Sequence, residues 1–194
     1  MLHAKVIDVS KEKIDIAKAQ KFIVSGKYGA SIYFVGTVRN QNNNKKVTGI
    51  TYDSHDALVI KSFKEIYKEA ETKFKFENIA VFIEHIKGYV ALGDTSIIIA
   101  VASKHRSQAY EFSRYIIEEI KKRTPIWKKD HYKNEDSKWL KGNPLVDKNF
   151  KGNNNFKKLV KTSKFCSEEN NIVSDSYKIT KNQKIGIIPP IGGG

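Results

Sequence analysis

The chain has 194 residues, a formal net charge of +14, 40% hydrophobic content and one cysteine, Cys166. This size suits one ordinary domain with an appendage, or two small domains, and 10 Phe with 9 Tyr are enough for a real core. No apolar run approaches the ~20 residues of a membrane span, the first residues show no secretory pattern, and a lone cysteine excludes both a disulfide framework and a multi-cysteine zinc site. The expectation is a reducing, cytosolic compartment.

In chain order, "SKEKIDIAKAQKFI" offers Ser10 as a cap and apolar residues at helical spacing, with Gly26 and Gly29 ending the element. "ASIYFVGTV" is rich in branched and aromatic residues and predicts a strand. "RNQNNNKKVTG" reads as a polar loop before a strand in "GITYD". Residues 56–75 predict a long helix, because Ile60, Phe63, Tyr67, Ala70 and Phe74 form one apolar stripe. "IAVFIEHIKG" and "SIIIAVAS" predict two buried strands, with "GYVALGD" as the turn between them. Ser107 opens a third helix, lined by Ala109, Phe112, Ile116 and Ile120 and stopped by Pro125. "IWKKDHYKNEDSKW" reads as an exposed polar stretch anchored by Trp127 and Trp139.

That order predicts an α+β fold, a sandwich of mostly antiparallel strands with two long helices. At about residue 147 the composition shifts to Asn, Lys and Gly, which marks a linker. Beyond it lie three short β-like pieces, around Phe165, Ile172–Val173 and Ile185–Ile188. They amount to less than a self-standing domain. The divisions are residues 1–146 for the main domain, 147–160 for the linker and 161–194 for the tail.

Four stretches put charge beside rigid apolar elements. "GTVRN" places Arg39 directly after a strand. "SKHRS" places His105 and Arg106 at a helix start, where backbone N–H groups and the helix dipole favour an anion. "KKRTPIWKKD" sets Lys121 and Lys128 on either side of a proline turn, and "PPIGGG" is a thin glycine-rich end. Singly, each has an ordinary reading: a surface arginine, a helix cap, solubilising lysines, a frayed terminus.

Together they resemble a known family, the large catalytic subunit of molybdopterin synthase. The resemblance covers about residues 1–145 and is carried by "GASIYFVGTVRN", "EHIKGYVALGD" and "VASKHRSQAYEFSRYIIEEIKKRTPIWKK". It implies an α/β hammerhead-like fold. The family's essential arginine falls on Arg39, its His-Arg pair on His105 and Arg106, and its two essential lysines on Lys121 and Lys128. The first three would hold a phosphate and the pterin end. The lysines would polarise the reacting carbonyl, move protons and hold a thiocarboxylate. The substrate implied is cyclic pyranopterin monophosphate, which acquires a dithiolene. The partners implied are a second copy in a homodimer whose sites draw on both chains, a sulfur-carrier small subunit, and its adenylating and sulfurating enzyme. Neither a metal nor a cofactor is implied for the sulfur transfer. His55 stands where the family carries a Tyr-containing stretch, and no role transfers to it.

The tail resembles the last half of that carrier, a ubiquitin-like β-grasp protein ending in Pro-Pro-x-x-Gly-Gly. The residues are Pro189, Pro190, Ile191, Gly192, Gly193 and Gly194, with "YKITKNQKIGII" before them. A partial β-grasp tail with Gly194 as a sulfur-bearing terminus is one expectation; a pocket-filling mimic of the carrier is the other. A ubiquitin-like modifier suits half a β-grasp poorly. The +14 charge also admits a basic nucleic-acid-binding module. However, the basic residues gather on no single helix, and no nucleic-acid motif appears.

Overall fold

The computed structural model describes residues 1–42, 44–133 and 137–139, together with the backbone of 164–166, 172–173 and 186–188. The elements are β1 (Leu2–Asp8), α1 (Ile16–Ile23), β2 (Ala30–Thr37), β3 (Gln41–Asn42), β4 (Lys45–Ser54), α2 (Asp56–Phe74), β5 (Ala80–Ala91), β6 (Thr95–Ser103), α3 (Arg106–Arg123), β7 (Ile126–Tyr132) and β8 (Lys138–Trp139). Among the described residues these strands form an eight-stranded sheet in the order β2-β6-β5-β4-β7-β8, with β1 beside β5 and β3 beside β4. All pairs are antiparallel except β1 with β5. The α+β fold with a mostly antiparallel sheet is therefore as the sequence predicts.

Strand alternation on β5 and β6 builds two cores at once. Val81, Ile83, Ile97, Ile99 and Val101 face one way and pack under α2 and α3, against Val59, Phe63, Ile66, Phe112 and Ile116. Ala80, Phe82, Ile98, Ala100 and Ala102 face the other way and pack under α1, against Ala19 and Ile23. Burial on both faces explains why these two strands read as continuous apolar runs. A third cluster, Ile7, Val38, Val47, Ile50, Ile86 and Val90, joins the second half of β5 to β4.

β5 serves both parts of the sheet. Residues 81–85 pair on one edge with β6 and on the other with β1, and Gly88–Ala91 pair with β4. The transition falls at Gly88, whose φ of 106° is a conformation that glycine adopts freely and L side chains rarely do. The predicted turn "GYVALGD" is therefore mostly strand, and the actual turn is Leu92–Asp94.

Five further points differ from the sequence reading. β1 precedes α1 although "LHAKVID" shows no clean alternation; only Ile7 within it is fully buried. The cap of α1 is Asp15, which accepts from Ala17 N at 2.9 Å; Ser10 is drawn instead into a turn with Asp8, through its N–H and its hydroxyl. The polar loop after Arg39 contains β3, pairing Gln41 with Lys46 and Asn42 with Lys45. "IWKKDHY" is strand β7, with Ile126, Trp127 and Asp130 buried. On α2 the buried stripe is Val59, Phe63, Ile66, Tyr67 and Ala70, shifted by one residue at its start.

In the tail, β9 (Lys164–Cys166), β10 (Ile172–Val173) and β11 (Gly186–Ile188) form a three-stranded antiparallel sheet with β9 central. They coincide with the three β-like pieces of the sequence. Pro189–Gly194 lies outside the described residues.

Candidate active site

Three elements deliver a cation each to one cavity of about 350 Å³. β2 ends at Thr37, and buried Val38 is pinned by backbone bonds from its N–H to Asp94 O (3.1 Å) and from Gly93 N–H to its own carbonyl (2.8 Å). Arg39 follows directly and lines the cavity. The last turn of α3 carries Lys121, with Ile117 and Ile120 beside it on the wall. Pro125 has no N–H and cannot extend that helix. The chain instead turns at Thr124, whose hydroxyl meets Ser62 Oγ at 3.0 Å, and enters β7. Residues two apart on a strand share a face, so Lys128 lines the cavity together with Ile126. In the β4–β7 register Lys128 lies opposite Tyr52 and Asp130 opposite Ile50.

Behind Lys128 stands Asp130, which is fully buried. Its Oδ1 is 3.2 Å from Lys128 Nζ, and its Oδ2 accepts from Asn42 Nδ2 at 2.7 Å and Tyr132 OH at 3.3 Å. A buried carboxylate needs this kind of compensation. Lys121 has no carboxylate partner among the described residues, so the cavity keeps positive character. The opposite wall is neutral. Burial raises the Tyr52 phenol above its usual range, with the charge of Asp130 adding and a hydrogen bond to Ser96 opposing. Ser96 in turn donates to Gly36 O at 3.1 Å. Burial also pushes His85 down to about 4, against a hydrogen bond to Ile86 that favours the charged form. Such an arrangement binds an anion and polarises a carbonyl beside it.

Of the residues singled out from sequence, Arg39, Lys121 and Lys128 meet in this cavity. His105 and Arg106 do not line it. They are exposed at the N-terminus of α3, where His105 is the cap residue and its carbonyl accepts from Ser103 Oγ at 2.8 Å. Arg106 and Lys121 belong to one helix and are separated by about 22 Å along its axis. One chain therefore does not assemble all five. Gly194 lies outside the described residues. His55 caps α2 and carries no functional geometry. Sequence reasoning missed Tyr52, Asp130 and His85. The signal for His85 was present: two titratable residues, Glu84 and His85, interrupt an otherwise apolar strand. Among the described residues, no three His, Cys, Asp or Glu side chains converge as a metal site requires, and no helix is long and apolar enough to cross a membrane.

The family model described as MoaE protein matches residues 9–123, more than half of the chain. The chain belongs to the MoaE family. That match includes Arg39, His105, Arg106 and Lys121, and it stops before Lys128. Among MoaE-like relatives, the molybdopterin synthase catalytic subunit of Synechococcus elongatus is 42% identical over 139 residues, covering 72% of this chain and 84% of that protein. The crystal structure of molybdopterin synthase from Staphylococcus aureus superposes with a TM-score of 0.64 at 29% identity, over 70% of this chain and 95% of that one. A complex of subunits 1 and 2 of molybdopterin-converting factor from Helicobacter pylori contains a similar MoaE fold, with a TM-score of 0.53 at 27% identity, over 69% and 86% of the two chains.

Proposed function

We propose that the chain is the catalytic subunit of a molybdopterin synthase, acting in molybdenum cofactor biosynthesis. It transfers sulfur from the thiocarboxylate of a carrier protein to cyclic pyranopterin monophosphate and so builds the dithiolene. One observation carries this reading: Arg39, Lys121 and Lys128, from three separate elements, converge on one cavity in a chain of the MoaE family. Arg39 takes negative charge on the substrate, and Lys121 and Lys128 hold the thiocarboxylate and polarise the carbon that receives sulfur. The +14 charge then suits an anionic small molecule and a carrier, without need of nucleic acid.

His105 and Arg106 belong to the same chemistry only if they reach the cavity of a second copy. Their exposure at the far end of α3 favours a homodimer in which each site draws on both chains. The Helicobacter pylori complex of two subunits supports a carrier as the protein partner.

The tail, 161–194, extends this reading. We take β9–β11 with Pro189–Gly194 as a partial carrier fused behind the 1–146 catalytic domain, with Gly194 as a sulfur donor. A carrier-mimicking tail is the competing assignment. Incubation with an activating enzyme, ATP and a sulfur source separates the two: the donor gains the mass of one oxygen exchanged for sulfur, and the mimic gains nothing.

The main test is Lys121→Ala assayed with thiocarboxylated carrier. The variant should keep the wild-type thermal midpoint and lose conversion of the cyclic substrate. Normal turnover by Lys121→Ala would overturn the assignment.

A further inference from the structure

His85 is the one histidine on the cavity wall, and its ring has a defined tautomer. Nδ1 lies 2.7 Å from the carbonyl oxygen of Ile86. A carbonyl only accepts, so Nδ1 carries the proton and Nε2 keeps a lone pair. Nε2 meets no partner among the described residues, yet it is not among the buried atoms that lack one, which leaves it open to the cavity. The ring is held edge-on to Tyr52, with centroids 5.0 Å apart and planes at 80°. With the residue only 7% exposed, its orientation is fixed by packing.

Most other polar side chains of the wall are donors or are joined to one another. Arg39, Lys121 and Lys128 are donors, and neither lysine bonds to His85 among the described residues. Tyr52 and Ser96 are joined to each other and to Gly36 O. Beside the Thr37 hydroxyl, His85 supplies this cationic pocket with a neutral acceptor whose orientation is fixed. Burial holds its pKa down to about 4, so the ring is neutral at pH 7 and Nε2 acts there as an acceptor. A ligand that fills the cavity strips water from Nε2, and an acceptor left unpaired in that complex costs about 1–3 kcal/mol, which favours a ligand that satisfies it.

We propose that His85 Nε2 is a substrate-recognition point, accepting a hydrogen bond from an N–H or O–H of the small anionic heterocycle and orienting it against Lys121 and Lys128. This rests on the molybdopterin synthase reading for the identity of the substrate. It adds a selectivity element: an analogue without that polar hydrogen leaves Nε2 unpaired and binds more weakly.

The test is steady-state kinetics of wild type, His85→Gln and His85→Leu, with cyclic pyranopterin monophosphate and thiocarboxylated carrier varied separately. Glutamine can place a carbonyl oxygen near the position of Nε2; leucine cannot. His85→Leu should raise KM for the cyclic substrate about 10- to 100-fold with the carrier's KM unchanged, and His85→Gln should recover most of that loss. Equal behaviour of the two variants, or a shift in the carrier's KM instead, would overturn the proposal. Thermal midpoints of both variants identify a folding defect. A second readout needs no turnover. In histidine-labelled wild type, imidazole ¹⁵N spectra should show His85 protonated at Nδ1 and bare at Nε2, with the Nε2 resonance moving when cyclic pyranopterin monophosphate is added. An Nε2 signal that stays still while the compound binds sinks the proposal. Binding with a moving Nε2 signal but no wild-type turnover counts against the enzyme assignment alone.

Discussion

Lys128 and Asp130 stand two residues apart on β7, with Nζ and Oδ1 3.2 Å from each other, and the carboxylate is entirely removed from solvent. The pair couples the cavity to the β3–β4 hairpin, because Asn42 donates to the other oxygen of the same carboxylate. Asp130→Asn removes the counter-charge while keeping the shape. It should lower stability by about 1–3 kcal/mol and reduce turnover, since Lys128 loses its anchor. Thermal unfolding and conversion of the cyclic substrate check the two effects. Wild-type values for both would show that Lys128 is positioned by something else.

Stability should fall on mild acidification. His85 titrates near 6.5 in the unfolded chain and near 4 in the folded one. Between those values the unfolded state binds more protons, so stability declines as pH drops from about 6.5 to 4, by on the order of 3 kcal/mol in full. His131, also lowered by burial, acts in the same direction. Glu12 is held down to about 2 by hydrogen bonds from Lys18 and Lys5, so its contribution is lost only below about 4.5. Urea unfolding at pH 7 and pH 5 should show a difference that shrinks in His85→Gln.

Gly88→Ala should destabilise by about 1–3 kcal/mol, because the backbone there has φ of 106° and a new Cβ would lie 2.6 Å from Val9 Cγ1. Denaturant midpoints measure this directly, with the slope unchanged. Gly88 pairs with Tyr52, so the same substitution should also disturb the wall of the cavity.

Phe112→Ala should cost about 3–5 kcal/mol. The ring is fully buried, with Tyr67 at 6.1 Å and Phe74 at 5.9 Å between centroids. The exposed neighbour Glu111 is the control, and Glu111→Ala should stay within about 0.5 kcal/mol. Chemical denaturation of both variants checks the contrast.

The long helices and the β5–β6 pair were legible because their patterns are extreme: a 3.6-residue stripe on α2 and α3, and branched apolar runs on the strands. β1 and β7 were not. β1 buries one residue deeply, and β7 hides Asp130 within a run of charge that looks solvated. Buried ionic pairs defeat hydropathy patterns, since the partner that compensates them, here Asn42, lies far away in sequence. The cap of α1 was misplaced for a local reason: Asp8 competes for Ser10, and Asp15 sits nearer the apolar stripe. At the cavity, Arg39, Lys121 and Lys128 were found through resemblance, and their convergence was visible only in three dimensions. His105 and Arg106 show the reverse, since sequence proximity to Lys121 on one helix becomes spatial separation.

The pairing of β4 with β7 joins Val47 to Tyr132 and Ser54 to Ile126. Arg39 and Lys128 therefore share a wall only after a long loop of chain has closed, and such closures slow folding. During synthesis β7 leaves the ribosome after α2, β5, β6 and α3, so the cavity is among the last parts of this unit to be assembled. Until then β4 presents an unpaired edge, exposed to other nascent chains. Completion of the cavity wall and protection of that edge are one event, and a truncation before Ile126 should yield aggregation along with loss of activity.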